Sequence, residues 1–281
     1  MAVTPARIVI RRRVTDEDPD RIADLLALHS GLSKRAVKDA MVKGAVWLIR
    51  PRGPRGRVRR ASTVLRCEDR VELFYDAGLL ARVPPPGRCL LQNSRYSVWL
   101  KPAGLLAQGS DYGDHCSLLR QVEQARPRDD VHLVHRLDRE TVGLMLLAHD
   151  REAAGLICGL FRSGAVVKRY RARVLGDVRA SLGDSGLLDR AVDGRVARTE
   201  FRVLAVAAGG TDVELTLVTG RTHQIRRQLA EAGHPVLGDP RYGRGNKNRE
   251  GLMLVAHTLE LDCPFQGQRM RVALDPDELM P

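Results

Sequence analysis

His135, Arg136 and Asp138 place an imidazole, a guanidinium and a carboxylate within four positions of one another. Apolar Leu133 and Val134 lead into this cluster, and an apolar run from Val142 to Ala148 leaves it. Both flanks are too short and too apolar for surface helices and read as buried strands. Charged groups held between two core strands are poor design for stability alone, because a half-buried carboxylate costs free energy unless it is paired. An isolated Arg-Leu-Asp is more simply a turn after a strand. Later residues change that balance. Lys168 and Tyr170 alternate on one strand face, and Arg221 stands immediately before a helix start, where a cation is unfavourable unless it faces an anion. That anion could be a carboxylate or a phosphate.

The elements that must position these groups belong to a chain of 281 residues, enough for a large core and two domains. Hydrophobic content of 43% is that of a globular protein. A net charge of +12 predicts attraction to a polyanion, nucleic acid before an anionic membrane. No apolar run approaches the roughly 18–20 residues needed to span a bilayer. Met-Ala-Val-Thr-Pro at the start carries no charged region followed by an apolar core, so a signal peptide is not expected. The five cysteines are widely spaced and form no CxxC pair, which reads as reduced thiols in a cytoplasmic protein.

Residues 1–13 alternate loosely and end in three arginines, an exposed first strand. Asp20 can cap a helix with Ile22, Leu25 and Leu26 inward, ended by Gly31. Ser33 can cap a second, with Val37, Ala40 and Met41 inward and Gly44 in the C′ position. Ala45–Ile49 reads as a strand, and six arginines with no acid lie between Arg50 and Arg60. Val64-Leu65 and Val71–Tyr75 supply further strand material. Lys34, Arg35 and Lys38 line the polar side of the second helix, and Arg55, Arg57, Arg59 and Arg60 crowd the tip. This concentration of unopposed charge points to a phosphate-binding surface. The residues Gly31–Arg35, Gly44–Val46 and Asp69–Val71 resemble the S-four-type RNA-binding module. Its usual tight hairpin is replaced here by the Pro/Arg/Gly-rich insert after Ile49. The resemblance assigns a small α/β module to residues 1–78. Pro84-Pro85-Pro86-Gly87 marks a stiff linker over 79–95.

Residues 96–281 form the second domain. Tyr96–Leu100 reads as a strand followed by the turn Lys101-Pro102-Ala103-Gly104. Asp150 can cap a helix to Phe161, stopped by Gly164. Val166–Val174, Thr199–Ala207, Val213–Val218, Met253–Leu261 and Met270–Leu274 read as strands. Thr222 can cap a helix with Ile225, Leu229 and Ala232 inward. Many strands and few helices, not in strict alternation, imply α+β with a mixed, largely antiparallel sheet.

Four segments, KPAG at 101–104, HRLDRETVGLMLLA at 135–148, KRYRARV at 168–174 and GRTHQIRRQLAEAGHPVLGDPRYG at 220–243, together resemble the RluA-type pseudouridine synthases, over roughly residues 96–275. Val142 stands where that family usually has Ser, and Gln108 and Gln228 where His is common. The resemblance implies the pseudouridine synthase fold and isomerisation of uridine in rRNA or tRNA. Asp138 then matches the essential carboxylate, Tyr170 the active-site tyrosine and Arg221 the basic residue paired with the Asp. Arg136 matches the arginine that helps hold the target nucleotide out of the helix, and His135 reads as a residue lining the RNA site or as a structural one. The product is an isomer, so no cofactor, metal or co-substrate is expected. Glycoside hydrolysis usually needs two carboxylates because one activates water; here no water enters, and one can suffice. Asp138 acts at the ribose, either as nucleophile at C1′ or as base at C2′, and the target base must be flipped. A monomer without membrane attachment is expected.

Two other readings compete. A non-catalytic RNA-binding assembly or regulatory protein accounts for the basic first domain but gives Asp138 no purpose. A metal-dependent hydrolase using His132 and His135 is disfavoured, since i and i+3 on a strand face opposite sides and no acidic ligands accompany them. Asp239 reads as a turn former.

Overall fold

The computed structural model describes residues 7–243, 246 and 248–275. The Met-Ala-Val-Thr-Pro start lies outside the described residues. The chain divides into two compact units. One comprises Met1–Pro84 with Gln108–Gln121, and the other Pro85–Ala107 with Val122–Pro281.

In the first unit, β1 (Arg7–Arg13) leads to α1 (Ile22–Ser30) and α2 (Lys34–Val42), then β2 (Val46–Ile49), β3 (Arg55–Arg57), β4 (Arg70–Asp76) and the single turn α3 (Ala77–Leu80). The strands form an antiparallel sheet in the order β1-β4-β2-β3. The Ser33 hydroxyl accepts the Ala36 N–H and Gly44 takes a positive φ of 81°, so α2 is capped at both ends as its sequence implies. Val37, Ala40 and Met41 are fully buried. Burying a Val or Met side chain stabilises by roughly 1.5–3 kcal/mol, which fixes the helix on the sheet. α1 begins differently. Its N-cap is Arg21, with no side-chain cap, while the Asp20 carbonyl accepts the Leu65 N–H at 2.7 Å. Val64 contributes only an isolated bridge to Arg21.

In the rest of the chain, β5 (Arg88–Gln92) and β6 (Tyr96–Lys101) are followed by α4 (Leu118–Ala125), β7 (His132–Leu133), β8 (Val142–Ala148), α5 (Arg151–Ser163), β9 (Val167–Val174), α6 (Val178–Leu182), β10 (Ser185–Leu188), β11 (Thr199–Ala207), β12 (Gly210–Leu217), α7 (Gln224–Glu231), β13 (Leu254–Asp262) and β14 (Arg269–Ala273). Eight strands follow the order β10-β11-β12-β9-β13-β8-β6-β5, with β14 paired to β13 and β7 to β8. Among the described residues only the β13–β8 pair is parallel, so the sheet is mixed and largely antiparallel. Arg88–Gln92, within the stretch read as linker, is a strand paired with β6. Segment 108–121, read as part of the second domain, belongs to the first unit.

α5 packs against β8, and Ala153 and Ile157 join Leu144, Leu146, Val255 and Leu259 in one core. Gly143, the second residue of β8, has φ 142°, a region L side chains rarely adopt. A Cβ there would overlap the backbone of Ala256. The parallel pair therefore closes tightly only with glycine, directly after the loop that carries Asp138.

Candidate active site

Asp138 lies in the loop between β7 and β8, turned by a bond from the Thr141 N–H to its carbonyl. Its cationic partner is Arg226, from the buried face of α7: Nη1 donates to Asp138 Oδ2 at 3.0 Å. The expected partner, Arg221, is elsewhere. Its Nε donates to the Val196 carbonyl at 3.1 Å and the side chain is exposed. That carbonyl supplies the electronegative contact which a cation before a helix needs, so the helix-start argument holds physically but identifies the wrong carboxylate partner.

Arg226 is only 3% exposed at its side chain and also makes a two-pronged contact with Asp239, Nε to Oδ2 at 2.7 Å and Nη2 to Oδ1 at 2.9 Å. Asp239 accepts the Arg241 and Tyr242 N–H groups as well, so it turns its loop and anchors the arginine at once. Burial alone would raise the Asp239 pKa, but Arg226 and the two backbone donors outweigh it and hold the carboxyl below its ordinary value. Burial likewise opposes the charge on Arg226, and the two carboxylates overcome it, raising its pKa further.

The other Asp138 oxygen, Oδ1, faces His223 Nε2 at 3.6 Å. His223 precedes α7 in a left-handed conformation, φ 54° and ψ 24°, and gives the helix no side-chain cap. Thr222, expected as the cap, is displaced by one residue from that position. A non-glycine residue held there costs about 1 kcal/mol, and such strain gathers at functional sites.

Tyr170 is buried on β9, paired across to Ala256 and Leu215. Burial, reinforced by the Asp138 charge, pushes its phenol well above the ordinary value. The side chain is therefore a neutral ring and O–H donor at neutral pH, not a phenolate base. Lys168 is half-buried two residues earlier and lowered by burial, while Arg169 and Arg171 are taken up by Glu260 and Asp212.

Lys101 is fully buried. Its ammonium donates to the carbonyls of Pro102, Leu105 and Arg139 at 2.9, 2.8 and 3.1 Å, tying the turn after β6 to the residue following Asp138. Three carbonyls match the three donors of an ammonium. Burial pushes its pKa down to about 7, against the pull of Glu140 and Asp138.

His135 is a structural residue. Nε2 accepts the Leu146 N–H at 2.9 Å and the ring stacks on Phe161 with centroids 4.6 Å apart. Burial and then the Lys168 charge push it down to about 3, so it is neutral. Arg136 is exposed and has no ion pair among the described residues. Gln228 is buried in α7. Its amide donates to the carbonyls of Leu188, Arg190 and Ala197 and accepts from Thr199, so it pins the 188–199 stretch to the helix.

In the first unit, three of the arginines expected to be free are committed. Arg55 binds Glu72 and Asp111, Arg57 and Arg59 both bind Asp114, and the Arg55 and Arg57 guanidiniums lie over Trp47 at 3.9 and 4.1 Å. Lys34 pairs with Asp24 at 2.7 Å. Arg35, Lys38 and Arg60 are exposed without ion pairs among the described residues. Among the described residues no group of three or more His, Cys, Asp or Glu could hold a metal ion.

The α+β domain with its mixed sheet thus presents one part-exposed carboxylate, Asp138, held by a buried arginine that is itself anchored on Asp239. The signature of the family described as RNA pseudouridylate synthase matches residues 95–231. A "Ribosomal large subunit pseudouridine synthase D" of Pseudomonas aeruginosa is 31% identical over 77% of this chain and 79% of its own length. One of the same name from Nitrosomonas europaea is 31% identical over 65% of this chain, the match spanning 60% of that relative's length. The solved structure "Human RNA Pseudouridylate Synthase Domain Containing 4" superposes with a TM-score of 0.56 at 26% identity, covering 69% of this chain and 88% of that one. The chain belongs to the RNA pseudouridylate synthase family, of the RluA type, and carries the pseudouridine synthase fold.

Proposed function

We propose that the protein isomerises uridine to pseudouridine within structured RNA, with Asp138 as the catalytic carboxylate. The observation that carries this reading is the Arg226 contact to Asp138 at 3.0 Å, which orients the carboxylate in a chain of this family. The N1–C1′ bond of the target nucleotide breaks, the uracil turns, and C5 bonds to C1′. The C5 proton leaves and N1 gains one, so atoms balance without water or a redox partner. Asp138 acts at the ribose, as nucleophile at C1′ or as base at C2′. Tyr170 contributes a ring for stacking on the uracil and a neutral O–H. Arg136, free of ion pairs among the described residues, occupies the space left by the flipped nucleotide. The first unit serves as an S-four-type module, with Arg35, Lys38 and Arg60 supplying its phosphate contacts. The protein works as a monomer in the cytoplasm.

Large-subunit rRNA is the first substrate to test, since the relatives just named are ribosomal large subunit synthases. Purified protein is incubated with rRNA transcripts, and pseudouridine is mapped by chemical derivatisation and primer extension, because the product has the mass of uridine. A new stop at a defined uridine is expected. Tight binding with no product on rRNA or tRNA would replace this reading by a non-catalytic RNA-binding role.

A further inference from the structure

We infer that His223 is a positioning residue for the Asp138 carboxylate, held in its working tautomer by the Tyr242 hydroxyl. The two carboxylate oxygens have different neighbours: Oδ2 receives the Arg226 guanidinium, and Oδ1 faces His223 Nε2 at 3.6 Å. A carboxylate only accepts hydrogen bonds, so the imidazole is useful to it only with a proton on Nε2. His223 Nδ1 lies 2.9 Å from the Tyr242 hydroxyl. With Nε2 protonated and the ring neutral, Nδ1 is an acceptor and Tyr242 donates to it. The chain of donors then runs Tyr242 O–H to Nδ1, and Nε2–H toward Asp138. At 3.6 Å the last link is an electrostatic contact that a small shift on substrate binding converts to a hydrogen bond.

The local backbone supports an aimed role. His223 is one of three non-glycine residues with positive φ among the described residues, and its carbonyl accepts the Arg227 N–H. The left-handed turn sends the ring back toward the β7–β8 loop rather than along α7. Tyr242 is itself set in place, with its N–H on Asp239 and its ring edge-on to the imidazole and below the Arg226 and Arg241 guanidiniums. The groups facing His223 are Asp138, Asp239, Arg226, Arg241 and Tyr242. Burial and the two arginines keep the ring neutral against the pull of the two carboxylates. Arg226 thus supplies a permanent charge and His223 a neutral directional donor, and together they fix which way the carboxylate points.

The inference rests on Asp138 being the reacting group, and its test has an arm that needs no reaction. In the ¹⁵N-labelled full chain, imidazole NMR is expected to show His223 as the neutral Nε2–H tautomer at neutral pH, assigned by its loss in His223→Asn. Tyr242→Phe should mix the tautomers, and Asp138→Asn should move His223 protonation to lower pH by removing an anion. Single-turnover rates with saturating RNA form the second arm. His223→Asn, which tolerates the left-handed backbone, should slow the step about 10²-fold at unchanged RNA affinity. Tyr242→Phe should cause a smaller loss, and the double variant should be no slower than His223→Asn alone. A resting Nδ1–H tautomer, a His223 titration indifferent to Asp138→Asn, or additive rate losses would overturn the inference. Absence of pseudouridine from the wild type would refute the isomerase reading instead, and the NMR arm would still decide the His223–Asp138 coupling.

Discussion

Replacing Arg226 by Met tests how the site is held. The side chain is 3% exposed and bridges Asp239, which is 0% exposed, to Asp138, which is 23% exposed. Water can reach Asp138 and offset part of its loss. Asp239 has no such recourse, and keeps only the N–H groups of Arg241 and Tyr242. Removing one member of a buried ion pair costs about 3–5 kcal/mol, and we assign most of that to Asp239. The penalty has a definite pH dependence. In the wild type the Asp239 pKa is depressed, so its stabilisation is present above the unfolded value of about 3.9 and lost as pH falls through the folded value. In Arg226→Met burial dominates and the folded pKa rises above the unfolded one. The variant is then penalised most at neutral pH, and the gap to wild type narrows as pH falls toward about 4.

The assay is urea unfolding followed by circular dichroism between pH 4 and 8. Asp239→Asn added to Arg226→Met should restore about 2 kcal/mol or more at pH 7, because it removes the orphaned charge while keeping the turn. Arg226→Lys, with one cation and no fork, should fall between the two and keeps the comparison open if the Met variant fails to fold. A cost below about 1 kcal/mol, or no rescue by Asp239→Asn, would contradict the buried bridge, since a surface ion pair behaves in that way.

Lys101→Met should destabilise by about 3 kcal/mol, since three buried carbonyls are deprived of their donor, and should lower activity through the loosened Arg139 backbone; thermal unfolding and single-turnover rates check this. In the first unit, Arg57→Ala and Arg59→Ala should lower the unfolding midpoint and barely change the salt slope of RNA binding, because both side chains are spent on Asp114. Arg35→Ala and Lys38→Ala should do the reverse, each reducing the slope by about 0.7–0.9 for every phosphate that is no longer neutralised.

Much of the scaffold is legible locally. The apolar run Val142–Ala148 is β8, and Asp150 and Gly164 bound α5 with the bonds their types imply, Ala153 N–H on Asp150 and a left-handed glycine at the end. β5 escapes because its signal is weak, three apolar residues (Cys89, Leu90 and Leu91) beside the prolines, whereas α4 carries a legible helical pattern, with Leu118 and Val122 buried one turn apart. Site errors have a different origin. Arg221 and Arg226 sit in one motif, and local electrostatics favours the residue at the helix start. The signal for Arg226 is its place among Gln224, Ile225, Gln228 and Leu229, all buried; a charge on that inner face demands a carboxylate. The arginines of this stretch look unopposed because their acids lie far along the chain: Glu72 is 17 and Asp111 56 residues from Arg55, and Asp114 is 55 residues from Arg59. Only folding brings such partners together, and no periodicity in the sequence records it. Tyr170 and Lys168 share a strand face by simple alternation, but the depth of burial that raises the phenol's pKa comes from neighbouring strands.

The role of Asp138 is tested most directly by the single-turnover rate of pseudouridine formation by Asp138→Asn on a mapped RNA site. The amide preserves shape and removes the charge that Arg226 holds. The variant should keep its fold, bind RNA with an affinity close to wild type, and form no product above the uncatalysed background. Pseudouridine formed by this variant at a rate comparable to wild type would contradict the assignment of Asp138 as the catalytic carboxylate.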